Sequence, residues 1–187
     1  MKRITTLLLL SLALGANAAD TGELKMHRQQ AGEPDPSDKS GWMLAASTQG
    51  RFSVRLPLKF NDFTVTEVPE APALRTHTVG TRSSEKISFL ATRIVYRKGA
   101  AAAKAYFARF EKGEGQTAKP VSVAPRQVGA LRAVDLVFKG PGAVNYQRVV
   151  LLDNDLLMLS VESPSEHDEA AWKLAGTFFD SLQVDAR

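Results

Sequence analysis

The chain has no cysteine among its 187 residues. That absence excludes disulfides, thiol nucleophiles, thiolate metal sites and iron–sulfur clusters. Stability must come from burial and hydrogen bonding. Histidine is scarce too, with His27, His77 and His167 the only three. No two of them are close in sequence, so no helical His pair for zinc can form. A zinc site would need the fold to bring His77 and His167 together with carboxylates. No G-x-S-x-G elbow, phosphate loop or dinucleotide fingerprint occurs. Charge of one sign is also scarce. The formal net charge is +4, and it falls by two when Lys2 and Arg3 are set aside. Such a balance gives no clustered basic footprint for nucleic acid.

Long apolar runs are missing as well. The longest, Leu7 to Leu14, is broken only by Ser11. A membrane span takes about 20 residues, so this run is too short. It follows Lys2 and Arg3 and precedes Ala16-Asn17-Ala18. These are the parts of a cleavable secretory signal over residues 1–18. Cleavage after Ala18 would give a periplasmic protein with no membrane span. With no cysteine at the cut, no lipid can be attached there.

Residues 19–41 are polar and rich in turn formers, including Pro34-Asp35-Pro36. They show no apolar period and predict a flexible leader, with His27 solvated. The single domain is expected over 42–187. Trp42, Leu44 and Ala46 alternate with their neighbours, as do Phe52, Val54 and Leu56. Two period-2 runs around Gly50 predict a hairpin. Weaker strands are expected over 63–68 and 74–81. A stronger one over 86–96 is apolar on both sides and should be central.

Residues 100–112 contain no helix breaker. Ala103, Tyr106, Phe107 and Phe110 make one helical stripe, and Gly113 stops the helix. A second β region follows over 121–128, 131–139, 144–152 and 155–162, with turns at 129, 140–142 and 153–154. The last helix is predicted to start at Ser165 as N-cap, with Asp168 completing a capping box. Its buried stripe is Ala171, Leu174, Ala175 and Phe178, widened by Trp172 and Phe179. Residues 181–184 can add an edge strand. The expected fold class is α+β, an antiparallel sheet flanked by helices.

Three stretches resemble one family. They are Gly50-Arg51-Phe52-Ser53-Val54-Arg55-Leu56-Pro57, then Tyr146-Gln147-Arg148 running through Asp153-Asn154-Asp155 to Val161, and Thr177-Phe178-Phe179-Asp180-Ser181-Leu182. With the order of elements, they resemble the small secreted bacterial domains of the PsbP-like superfamily, over roughly residues 42–184. That resemblance implies an α/β/α sandwich, and accessory or binding roles more than catalysis. It assigns no site residue.

Two polar motifs have plain structural readings. Asp153-Asn154-Asp155 offers three oxygen ligands, where calcium needs six to eight, so a hairpin turn explains it. Ser83-Ser84-Glu85-Lys86 reads as a polar turn before a strand. Asp135 and Arg148 are charges inside apolar strands. Counting outward from Gly140-Pro141-Gly142 places them nearly opposite each other. They can form an ion pair, or Arg148 can bind an anion while Asp135 holds it. Arg93 and Arg97 could add positive charge, so Arg93, Arg97 and Arg148 are the candidate anion-binding residues. No catalytic, metal or cofactor residue is assigned. The expected function is a non-catalytic periplasmic accessory or binding protein acting through an envelope protein partner. The alternative is a carrier of a small anionic or apolar ligand in a sheet–helix cleft.

Overall fold

The computed structural model describes residues 22–33, 41–114 and 118–185. The expected signal segment over 1–18 and the expected cleavage after Ala18 lie outside them. The strands are β1 (Glu23–Ala31), β2 (Met43–Ala46), β3 (Phe52–Leu56), β4 (Phe60–Thr66), β5 (Ala73–Arg82) and β6 (Ser88–Tyr96). Helix α1 (Gly99–Glu111) follows. Then come β7 (Ser122–Val128), β8 (Leu131–Gly140), β9 (Ala143–Leu151) and β10 (Asp155–Pro164). A 3₁₀ turn (Ser165–His167), helix α2 (Asp168–Asp180) and β11 (Gln183–Val184) complete the chain.

Eight strands form one antiparallel sheet in the order β1-β4-β5-β6-β10-β9-β8-β7. The other three form a small sheet, β11-β3-β2. The long strand over Ser88–Tyr96 sits inside the large sheet between β5 and β10, as its two apolar faces require. Helix α1 covers one face. It buries Ala103, Phe107 and Phe110 against Ile94, Val134, Leu136, Val149, Leu156 and Met158. Gly113, at φ +69°, ends that helix, and its N–H donates to the Phe110 carbonyl. Only glycine takes such a backbone without strain.

The opposite face is covered by α2 and the small sheet together. Phe178 and Ala175 of α2, Phe52 and Val54 of β3, and Phe89, Leu157 and Leu159 of the large sheet share one core. The architecture is therefore sheet-dominated. The expected α/β/α sandwich is corrected on this point. One of its outer layers is half helix and half sheet, because the Met43–Leu56 hairpin turns away from the large sheet and packs over it.

Three other expectations are corrected. The leader expected over 19–41 contains β1, which pairs with β4 from Glu23↔Thr66 to Ala31↔Phe60. Its side chains are mostly exposed, so no apolar period announced it. Backbone pairing and polar anchors hold it instead. His27 is not simply solvated, because its Nε2 lies 2.8 Å from the Thr64 hydroxyl. The capping box at Ser165 does not form. His167 occupies the N-cap position of α2 without a side-chain cap, and Asp168 is turned toward Lys139 and Tyr146. Among the described residues, no helix is long and apolar enough to cross a membrane.

Candidate functional site

A groove of about 360 Å³ lies between α2 and the outer strands β7–β9. Its geometry follows from the sheet period. Residues 146 and 148 of β9, and 135 and 137 of β8, point to the α2 side. Helix α2 crosses β10 and β9 but stops short of β7, so the outer part of this face stays open. Arg126 of β7, paired with Ala133 on the same face, forms the far bank. Trp172, Gly176, Phe179 and Asp180 form the helix bank.

Arg148 is at the floor. Asp135 is its direct cross-strand partner, as counting from the turn predicts. The Arg148 Nε donates to Asp135 Oδ1 at 2.7 Å, and its Nη2 to Oδ2 at 3.0 Å. This fork-on-carboxylate geometry is the strong form of an ion pair. Nη1 donates to Asp180 at 3.1 Å, and the guanidinium lies 5.1 Å from the Phe179 ring centre. Burial alone would lower the Arg148 pKa, but the two carboxylates outweigh it and hold the group charged. Arg126 donates to Asp135 at 3.1 Å from the other side. Two bases thus meet two acids, and the cluster carries no net charge.

At the upper end, Asp168 accepts from Lys139 at 2.6 Å and from the Tyr146 hydroxyl. These bonds hold the Asp168 carboxyl below its ordinary range. Burial first, and then the Asp168 charge, raise the Tyr146 phenol, so it stays a donor. The Trp172 ring lies 5.2 Å from that of Tyr146. Trp172 was expected to widen the buried stripe, yet it is 56% exposed. It sits one helical step to the side of Ala171, Ala175 and Phe178, and that step turns it out over the groove.

The structure does not gather the three candidate arginines. Arg93 lies on the same sheet face as Arg148 but donates twice to Asp155, at 2.8 and 2.6 Å, and once to the Gly50 carbonyl. Arg97 clamps the β4–β5 loop through the carbonyls of Glu67, Val68 and Ala71. The three share no partner among the described residues.

Sequence reasoning missed one polar row. Thr64 bridges His27 and His77, at 2.8 and 2.9 Å. Beside it, fully buried Asp62 accepts from the Thr48 N–H and from the Ser47 and Thr48 hydroxyls. Starting the strand at Phe60 would have put Phe60, Asp62 and Thr64 in one inward phase. His77 and His167 take part in no metal cluster among the described residues.

His77 makes a prediction. Burial chiefly lowers its pKa below the ordinary 6.5, helped by Arg75, Arg93 and His27 and opposed by Asp155. The unfolded chain then binds this proton more readily than the folded one. Stability is complete above the unfolded value and is lost as pH falls from about 6.5 toward the folded value. His77→Asn keeps a hydrogen-bonding group near Nδ1 and removes the titration. Urea midpoints at pH 7.5 and 5.0 should differ less in His77→Asn than in the parent. Equal pH dependence would rule out His77 as its source.

No family model matches the chain, and no curated protein matches it. Among solved structures it is similar to cyanobacterial PsbP (CyanoP) from Synechocystis sp. PCC 6803, at 13% identity and a TM-score of 0.49, over 82% of this chain and 98% of that one. It is also similar to LpqN, involved in cell envelope biogenesis of Mycobacterium tuberculosis, at 10% identity and a TM-score of 0.37, over 90% of this chain and 88% of that one.

Proposed function

We propose that this chain is a non-catalytic accessory protein of the periplasm that holds a protein partner in the groove between α2 and β7–β9. The observation that supports this best is Trp172. It is a large aromatic, 56% exposed, standing beside Tyr146, Arg126 and Arg148. Trp, Tyr and Arg are the residues in which binding energy concentrates at protein interfaces. The internal pairing of the charges leaves no strong field to attract a free ion.

The second reading, a carrier of a small ligand in this cleft, has the groove volume in its favour. An anion at Arg148 would have to displace Asp135 or Asp180, which weakens that version of it.

In-cell photocrosslinking tests the proposal. A benzophenone side chain replacing exposed Ser122, which pairs with the groove residue Val137 and shares its sheet face, should capture a defined partner. The same group replacing exposed Glu85, in the β5–β6 turn, should not. Trp172→Ala should cut the capture at least about tenfold, the scale of losing an interface hot spot. Its effect on thermal unfolding should be small, because the ring is largely outside the core. Capture that is equal from both positions, or indifferent to Trp172→Ala, rejects the groove as the docking surface.

A further inference from the structure

We infer that Gly176 is a seat, kept empty by the fold, for a large apolar side chain of the partner polypeptide. The inference rests on the groove being the docking surface.

Gly176 lies inside α2 and is exposed. Its φ is not positive, so the backbone does not require glycine. A Cβ built there meets nothing within 4 Å, so packing does not require glycine either. Helix interiors disfavour glycine more than any residue except proline. Nothing within the described fold accounts for its presence. A glycine in such a place allows another molecule to approach the helix backbone closely.

The neighbours of the notch say what that molecule presents. Trp172, Gly176 and Asp180 fall at i, i+4 and i+8, so they line one edge of the helix. The glycine is a gap between an indole and a carboxylate. Phe179, Val137 and Tyr146 line the groove beside it. Arg126 and Arg148 are matched by Asp135 and Asp180. A charged group entering here would meet its own sign as often as the opposite one, and it would lose water. An uncharged, branched or aromatic side chain would fill the gap and bury against Trp172 and Phe179. Asp180 and Arg126 remain exposed on opposite banks, where they can meet the polar backbone on either side of that side chain.

The test uses Gly176→Ala and Gly176→Leu in the full chain. Both are better helix formers than glycine. Gly176→Ala should therefore raise the melting temperature by about 2–4 °C, and Gly176→Leu should not lower it. Capture from position 122 should fall in part with alanine and at least about tenfold with leucine. Higher stability together with lost binding is the signature of a seat. A lower melting temperature in Gly176→Ala would make the glycine structural and overturn the inference. If Trp172→Ala abolishes capture while Gly176→Leu leaves it intact, the groove reading stands and the seat falls. If neither substitution matters, the groove reading fails first. A defined probe examines the chemistry. N-acetyl-leucine amide at millimolar concentration should shift the Gly176 amide and Trp172 indole resonances of the parent, and not those of Gly176→Leu. N-acetyl-lysine amide should shift neither. No shift with the leucine probe, or equal shifts with both, overturns the apolar seat.

Discussion

Replacing Arg93 by methionine is expected to destabilise the protein by about 3–5 kcal/mol, the usual cost of removing one member of a buried ion pair. The Arg93 side chain is 14% exposed and that of Asp155 only 7%. In the parent, both Nε and Nη2 donate to Asp155 Oδ2, and Nη1 donates to the Gly50 carbonyl. The first two bonds tie β6 to β10. The third ties the large sheet to the turn between β2 and β3, so one side chain joins both sheets. Methionine has similar length but no donor. Asp155 would be left charged and almost without water. The Gly50 carbonyl would lose its guanidinium partner as well.

The double variant Arg93→Met/Asp155→Leu separates these effects. Replacing both members by apolar groups is often near neutral, so the double variant should recover much of the loss. Urea unfolding of the four proteins closes the cycle. A loss below about 1 kcal/mol in Arg93→Met would mean that water already reaches the pair.

Arg93 also shows how far the sequence could be read. Its strand was legible, because alternating apolar residues over 86–96 are a local signal. Its partners were not. Gly50 is 43 positions away and Asp155 is 62, and strand order decides whether they meet. The Asp135–Arg148 pair was legible for the opposite reason. One tight turn joins the two strands, so counting residues gives the register. Gly142, at φ +85° after Pro141, sets that count.

β1 was missed because its signal is not apolar. Leu24 is 58% and Met26 45% exposed, on an edge strand paired only to β4 among the described residues. What fixes it is backbone pairing and contacts made far along the chain. His27 reaches Thr64, Arg28 reaches Thr48, and the Gln30 N–H reaches Asn61. Such polar strands look like linkers until their partner strand is known. The groove was illegible for a related reason. The helical stripe of α2 was read correctly at Ala171, Ala175 and Phe178. Whether Trp172 is buried depends on how far the sheet extends past the helix, and only the order β10-β9-β8-β7 determines that.

The same stripe yields the second large effect. Phe178→Ala should cost about 3–5 kcal/mol, the range for truncating a buried phenylalanine. Phe178 is fully buried. Its ring lies edge-on to Phe89 at 5.7 Å and close to Phe179 at 5.8 Å. Phe89 in turn meets Trp42 edge-on at 6.0 Å. One aromatic chain therefore runs from α2 through the large sheet to the start of the small sheet's hairpin. Truncation opens a cavity where three elements meet, and backbone movement of any one is limited by the other two. The loss should therefore fall in the upper part of that range. Denaturant unfolding measures it, and the slope with denaturant should stay that of the parent. Trp172→Ala, six residues earlier on the same helix, should cost far less, because its ring faces the groove. A Phe178→Ala loss below about 1 kcal/mol would mean that α2 packs on the sheet through another face. The positions of Trp172 and Gly176 over the groove would then be wrong with it.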